Sequence, residues 1–345
     1  MKRRTCFHLV VFGALLLLGA FPMPTHAQAV LHVTPTGSPA DDCSTWTDAC
    51  DLQTALTLAE DGDEIWVAAG TYLPTSGADR SATFQLKNGV ALYGGFAGTE
   101  TDREARDWEA NLTILSGDIG TPDNNTDNAY HVVRATSVGS TAVLDGLTIT
   151  GGHAEGSWPE NCGGGMLNDG SAPTLSNVTF VGNTAAGNGA GMANLSGSSP
   201  ALTSCTFSGN SAGVDAGGMY NYGSSSPSLI GVSFLGNVAG LGGGGMFNAL
   251  SNPTLSNVVL SGNSSASHGA GMANLQSSPA LVNVTFSHNT SGGVGSGIYN
   301  DNSSPTLRNC VLWGSTGGQV VDASGSASTI AYSDIQGGYT GTGNI

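Results

Sequence analysis

"FVGNTAAGNGAGMAN", residues 180–194, holds four glycines, no charge and one large side chain near each end. The phrase returns as "FSGNSAGVDAGGMYN" (207–221), "FLGNVAGLGGGGMFN" (234–248) and "FSHNTSGGVGSGIYN" (286–300). Aligned on one position, Met166, Met192, Met219, Met246, Met272 and Ile298 stand 26, 27, 27, 26 and 26 residues apart. A fixed period of that size marks stacked structural repeats. Three more columns keep the step: Leu175 through Leu307, Val178 and Cys205 through Cys310, and Phe180 through Leu312. Each column sets a residue over its like in the next coil.

Two repeat folds compete for this pattern. The spacing L-x-x-V-x-F-x-x-N matches a leucine-rich repeat, which needs further apolar anchors on its convex side. The remaining half of the unit, "TAAGNGAGMANLSGSSP" (184–200), is mostly Gly, Ser, Ala and Asn. Glycine costs about 1 kcal/mol per helical position, so no helix packs there. Strands fit instead. Leu ends one short strand, and Asn or Gly at 177, 231, 257, 283 and 309 takes a left-handed bend. Val-x-Phe then points two side chains inward, and the Met opens a third strand after a glycine corner. Every coil runs the same way, which gives an all-β, right-handed parallel β-helix.

Two asparagine columns follow from this geometry: Asn168, Asn194, Asn221, Asn248, Asn274 and Asn300, and Asn183, Asn210, Asn237, Asn263 and Asn289, the second broken at Ser315. Amides stacked at the strand spacing of about 4.8 Å donate to one another, so these are ladder residues. Cys205 and Cys310 share an inward column four coils apart, roughly 19 Å at that spacing. A disulfide needs Cα atoms within about 7 Å, so they are core residues. Cys43 and Cys50 flank one short loop and are expected to pair, while Cys162 is expected to be a free loop thiol.

The ends and the charge bound the function. Lys2, Arg3 and Arg4 precede an apolar run from Leu9 to Phe21 and the small-residue site "THAQAV", the pattern of a secretory leader cleaved after Ala29 or Ala27. Its removal takes away three positive charges and moves the formal charge from −16 to −19. Nucleic acid is disfavoured as a partner, because such binding neutralises phosphates. A membrane contact is expected only through an anchor that this chain lacks. The expected organisation is a leader (1–29), a cap with an amphipathic helix started by Asp51 and stopped by Gly62 (30–63), irregular coils (64–154), an inserted loop (155–163), six repeats (164–315) and a last partial coil (316–345).

The phrases "FVGN", "FSGN" and "FLGN", each followed by "GGM" or "GAGM", and "FSHN", followed by "GSGI", resemble the F-x-x-N and G-G-A-I repeats of polymorphic outer membrane proteins. The first half, with "WVAAGTYLP", "LYGGFAGTETDREARDW" and "LDGLTITGG", resembles secreted bacterial proteins with a pectate-lyase-like right-handed β-helix. Together the resemblances cover nearly all of the chain beyond the leader. They imply export and a solenoid, and they leave the activity open. Met replaces Ala-Ile after the glycines, and the chain ends at "SDIQGGYTGTGNI", where relatives run on into an anchor or barrel. The end therefore reads as a truncation or as a released form.

Each chemistry that such a fold hosts has a residue signature. A pectate-type lyase implies calcium-binding aspartates and a basic residue on one sheet, but after residue 150 the only Lys or Arg is Arg308. A polygalacturonase implies N-T-D, D-D, G-H-G and R-x-K in order, and only Asn125-Thr126-Asp127 matches in kind. A glycosidase needs two carboxyls across a cleft. The loop "GGHAEGSWPENCGGG" (151–165) supplies the candidates His153, Glu155 and Glu160, beside Asp169. No histidine has metal-ligand spacing, and neither metal nor cofactor is expected.

A binding surface is the preferred expectation. The position after each Met points outward, and Tyr220 and Phe247 occupy it in adjacent coils, with Tyr222 close by. Exposed rings suit sugar faces. The sequence thus predicts a secreted or cell-surface scaffold that contacts extracellular polysaccharide or a neighbouring cell, without catalysis. The competing reading is a polysaccharide lyase or glycoside hydrolase using the first coils or the 153–169 loop.

Overall fold

The computed structural model describes residues 28–345. The leader reading lies outside the described residues, save for Gln28 and Ala29. The described chain winds into a parallel β-helix in which every strand pairs with its counterparts one coil away. A Leu sheet of eleven strands runs from Val30–Val33 to Thr329–Ala331, and a Phe sheet of ten from Gly70–Tyr72 to Asp334–Ile335. A Met sheet of nine strands runs from Phe84–Gln85 to Val320–Ala323. The register superposes the sequence columns: Leu175 on Leu202, Phe180 on Phe207, Met166 on Met192.

A fourth ladder was not foreseen. Six two-residue strands run from His153–Ala154 to Thr290–Ser291, the last five directly after the corner asparagines. Two residues are too few to show an alternation, so the pattern hid them. The bend between the Leu and Phe strands is left-handed in each repeat: φ is +53° at Asn177, +64° at Gly231 and +56° at both Asn257 and Asn283. Ser204 takes the same bend at +53°, where the sequence offered neither Asn nor Gly.

The glycine before each Met answers the opening phrase. A Cβ on Gly191 would lie 2.6 Å from the Gly218 carbonyl oxygen and 2.8 Å from the Phe207 ring. The corner passes so close to the next coil that no side chain fits. Inside, one apolar core runs from Leu31 to Ile335. The rings of Phe180, Phe207 and Phe234 stack at 4.7 and 4.8 Å within 9° of parallel.

Polar ladders close the corners. Asn210 donates from its backbone N–H (3.1 Å) and from Nδ2 (2.9 Å) to Asn237 Oδ1, and also from Nδ2 to the Phe180 carbonyl (3.0 Å). Its own Oδ1 accepts the same pair from Asn183. The row ends where the Asn289 N–H meets Ser315 Oγ. In the second row each Nδ2 donates to the next Oδ1, from Asn168 to Asn300, at 2.7–2.8 Å. A carboxylate, Asp322, accepts from the last amide at 2.8 Å.

Before the array, helix α1 (Leu52–Leu58) turns Leu52, Ala55 and Leu56 into the core. Asp51 caps it through the Thr54 N–H at 2.9 Å. The helix ends at Ala59, earlier than expected, and Gly62 lies in the following turn at φ +99°. Cys43 and Cys50 form a disulfide with Cα atoms 4.8 Å apart. Cys205 and Cys310 are free and buried in the core. Cys162, in the inserted loop, is also free, and it is fully buried. No helix among the described residues is long and apolar enough to cross a membrane.

Candidate functional site

The outward face of the Met sheet differs from its expected form. Tyr220 and Phe247 are 8% and 7% exposed, not open to solvent. They belong to a second apolar cluster with Cys162, Leu167, Ala193 and Ala216, among others. The cause is the glycine-rich segment before each Met, which folds back over the strand. A Cβ on Gly189 would sit 2.7 Å from Tyr220 Cβ, and one on Gly243 would sit 2.7 Å from Phe247 Cβ. Glycines that allow the corner thus also lay backbone across the rings. Tyr222, at the strand end, stays 40% exposed.

What the structure assembles is a row of rings along this face. Trp158 of the inserted loop meets Tyr222 edge to face at 6.1 Å, and Tyr222 stacks with Tyr220 at 6.0 Å. Tyr220 then contacts Phe247 (5.9 Å), Phe247 contacts His268 (6.5 Å), and His268 contacts Tyr299 (4.6 Å). Two hollows of about 270 Å³ open along the row. Trp158, Pro159, Asp169 and Tyr222 line the first. Asp215, Phe247, His268, Tyr299 and Asp301 line the second. Larger hollows lie beside Tyr72 (about 480 Å³) and Trp108 (about 390 Å³). Their carboxyls, Asp51 and Glu109, face no second acid or base across the space, and Asp51 is already the cap of α1.

The loop carboxylates are not gathered into one centre. Glu155 is paired with Arg80 and accepts from His153 Nε2 at 3.0 Å. Glu160 accepts from His131 Nε2 at 2.6 Å and from Arg134 at 3.1 Å. His131 Nδ1 meets the Gly163 carbonyl at 2.9 Å, so the ring holds the second half of the loop at two points. The hydrogen bond from His131, aided by the charge of Arg134, holds the Glu160 carboxyl down at about 2. Hydrogen bonds from Arg80 and then His153 hold Glu155 below the usual carboxylate range. Such groups stay ionised and engaged, whereas a general acid needs a carboxyl raised toward neutrality.

Arg80, His131 and Arg134 escaped the sequence reading, which counted bases only beyond residue 150. One signal was present. Arg134 pairs with Leu167, so it continues the outward column of the Met sheet one coil back. Arg308 remains a surface residue, its guanidinium 5.0 Å over the Tyr332 ring. Asn125-Thr126-Asp127 forms a single helical turn capped by Asn124, away from the ring row. Among the ring-row carboxyls, Asp215 stands apart. Burial pushes it up to about 6, against one hydrogen bond from the Gly242 N–H at 3.0 Å. No cluster of three His, Cys, Asp or Glu placed to hold a metal occurs among the described residues.

Residues 166–335 match the family described as a right handed beta helix region. No curated protein matches the chain. Among solved structures, the pectate lyase Pel9A is similar at a TM-score of 0.53 and 14% identity, covering 87% of this chain and 81% of that one. An alginate lyase from Paenibacillus sp. str. FPU-7 gives 0.43 and 13%, covering 88% and 99%. The pectin methylesterase from Aspergillus niger gives 0.39 and 12%, covering 92% and 87%. At 14% identity the likeness to the pectate lyase concerns the path of the chain and not its chemistry. With the constant period, the parallel register and the matched family, it makes this chain a right-handed β-helix repeat protein with a pectate-lyase-like fold.

Proposed function

We propose that the protein is an exported or cell-surface scaffold that holds a glycan against the outer face of its Met sheet, without cleaving it. The row from Trp158 to Tyr299 carries this reading, because flat apolar rings with polar edges are what sugar faces pack on. A formal charge of −16 on the whole chain repels uronic acids, so the favoured ligands lack carboxylates. The inserted loop fits the same role. Its acids are spent on clamps that hold Trp158 in place beside Tyr222.

The test is a panel of neutral, acidic and amino polysaccharides scored for both retention and bond cleavage. Trp158→Ala with Tyr222→Ala removes the two exposed rings and is expected to weaken retention about tenfold or more, with the circular dichroism unchanged. Tyr220→Ala with Phe247→Ala is expected to weaken retention too, but with a loss of stability, since those rings are buried.

One observation favours a second reading. Asp215 and Asp301 line one hollow, and a carboxyl near 6 is what a general acid would need. Release of reducing or unsaturated ends by the wild type, lost in Asp215→Asn, would replace the scaffold with a glycoside hydrolase or lyase.

A further inference from the structure

We infer that the hollow between Asp215 and Asp301 is a subsite for a protonated amino sugar, one ring of a longer glycan lying along the Met sheet. The inference rests on the glycan-contact reading and names the ligand chemistry within it. Asp215 comes from the glycine-rich segment before Met219, and Asp301 closes the strand Ile298–Asp301. The two carboxyls therefore enter from the two ends of the sheet's strands. Between them stand His268 and the rings of Phe247 and Tyr299.

Three features point to a cation. First, Asp215 is half-buried, and its carboxylate accepts from a backbone N–H, that of Gly242. A desolvated carboxylate is stabilised by an opposite charge, and no Lys or Arg among the described residues lines the hollow. The single Lys or Arg beyond Arg134 is Arg308, which lies over Tyr332 on the Leu sheet. Second, the imidazole turns inward beside that carboxylate. A Cβ on Gly242 would lie 2.6 Å from His268 Nε2, so both groups meet at this glycine. Burial lowers the basicity of His268, against the charge of Asp301, and raises Asp215. Third, Phe247 and Tyr299 flank the imidazole at 6.5 and 4.6 Å, and aromatic faces attract ammonium groups.

Size and charge narrow the ligand further. About 270 Å³ falls just under the ~300 Å³ at which pockets begin to hold whole small molecules, so one ring enters and the polymer continues outside. A uronic acid would face two carboxyls, and an N-acetylated ring would bring no charge to them.

The experiment is calorimetric titration of the full chain at near-neutral pH, where Asp215, pushed up to about 6, is ionised, with a glucosamine hexamer and with the N-acetylated hexamer of the same linkage. The amine form is expected to bind about tenfold tighter. Asp215→Asn is expected to remove most of that preference, read as the ratio of the two affinities, and Asp301→Asn, three coils away, a smaller part. Glu104→Gln deletes the same unit of charge at a residue 78% exposed and far from the ring row, and is expected to keep the preference intact. Equal affinity for the two hexamers overturns the subsite alone. So does an equal loss in Glu104→Gln, which would reduce the preference to general charge attraction. Binding of neither hexamer nor any other glycan in the panel would overturn the scaffold reading as well.

Discussion

The repeats between residues 164 and 315 and the coils before them build the same tube by different means. In the array, a corner is closed by amides that bond their own kind, and the core is a stack of like rings. In the earlier coils the same jobs fall to unlike partners. Arg106 reaches Asp145 at 2.9 Å and the Gly94 carbonyl at 3.0 Å, Arg103 reaches Glu64 at 2.8 Å, and a disulfide closes the first loop. Repetition makes each neighbour predictable, so a neutral amide serves at every step. Where coils differ, long charged side chains bridge the mismatched distances. The inserted loop is the seam between the two regimes: its acids belong to the array side, and its bases to the irregular side.

Four measurements can break or sharpen this contrast. The largest effect is expected in the array. Phe234→Ala interrupts the ring stack at a fully buried site and should cost about 3–5 kcal/mol in urea unfolding. A cost below ~1 kcal/mol would mean that like-on-like stacking does not carry the array's stability. Next comes the covalent tie of the irregular end. Replacing Cys43 and Cys50 together by Ser should cost roughly 2–3 kcal/mol, with deuterium uptake rising in residues 30–60 and not in the repeats.

The seam should respond locally and to acid. Glu160 titrates lower in the fold than when free, so its contribution is complete above about 4.5 and is lost as the pH falls toward about 2. Deuterium uptake in residues 155–163 should rise over that window in the wild type. Glu160→Gln should show the raised uptake already at neutral pH, with a global cost of about 1 kcal/mol or less, since the pair is partly solvated. Identical uptake in both proteins at every pH would mean that the clamp does not hold the loop. The smallest effect is Ser233→Ala, next to Phe234 on the other side of the strand, at under ~0.5 kcal/mol. A change as large as that of Phe234→Ala would invert the inside and outside of the Phe sheet.

What could be read from the residues followed the same divide. Columns such as Leu175–Leu202 or Phe180–Phe207 were legible because period and register coincide when every coil has the same length. Asp51 was legible as a cap because capping is local. The burial of Tyr220 and Phe247 was not legible. Alternation along a strand says which face a ring takes, and nothing about backbone lying across that face. The partners of Glu155 and Glu160 were hidden for another reason: they sit in coils without a fixed period, and of Arg80, His131 and Arg134 only Arg134 continues a column. The second hollow joins Asp215 to Asp301 across three coils, a proximity created by stacking alone.

The asparagine row ending at Asp322 has an electrical consequence. Each amide donates toward the C-terminal end and accepts from the N-terminal side, so the amide dipoles from Asn168 to Asn300 align along the axis. The positive pole of that alignment falls where Asp322 sits, as carboxylates favour the positive end of a helix. Burial opposes ionisation of Asp322, yet hydrogen bonds from Ser328, Tyr339 and Asn300 keep it below the usual range. The opposite pole ends at Asn168 Oδ1, which meets no hydrogen-bond donor among the described residues. Inserting a coil in the middle would lengthen the aligned row without leaving any amide unmatched. The number of coils is therefore a free variable of this design, while the terminal negative charge is not.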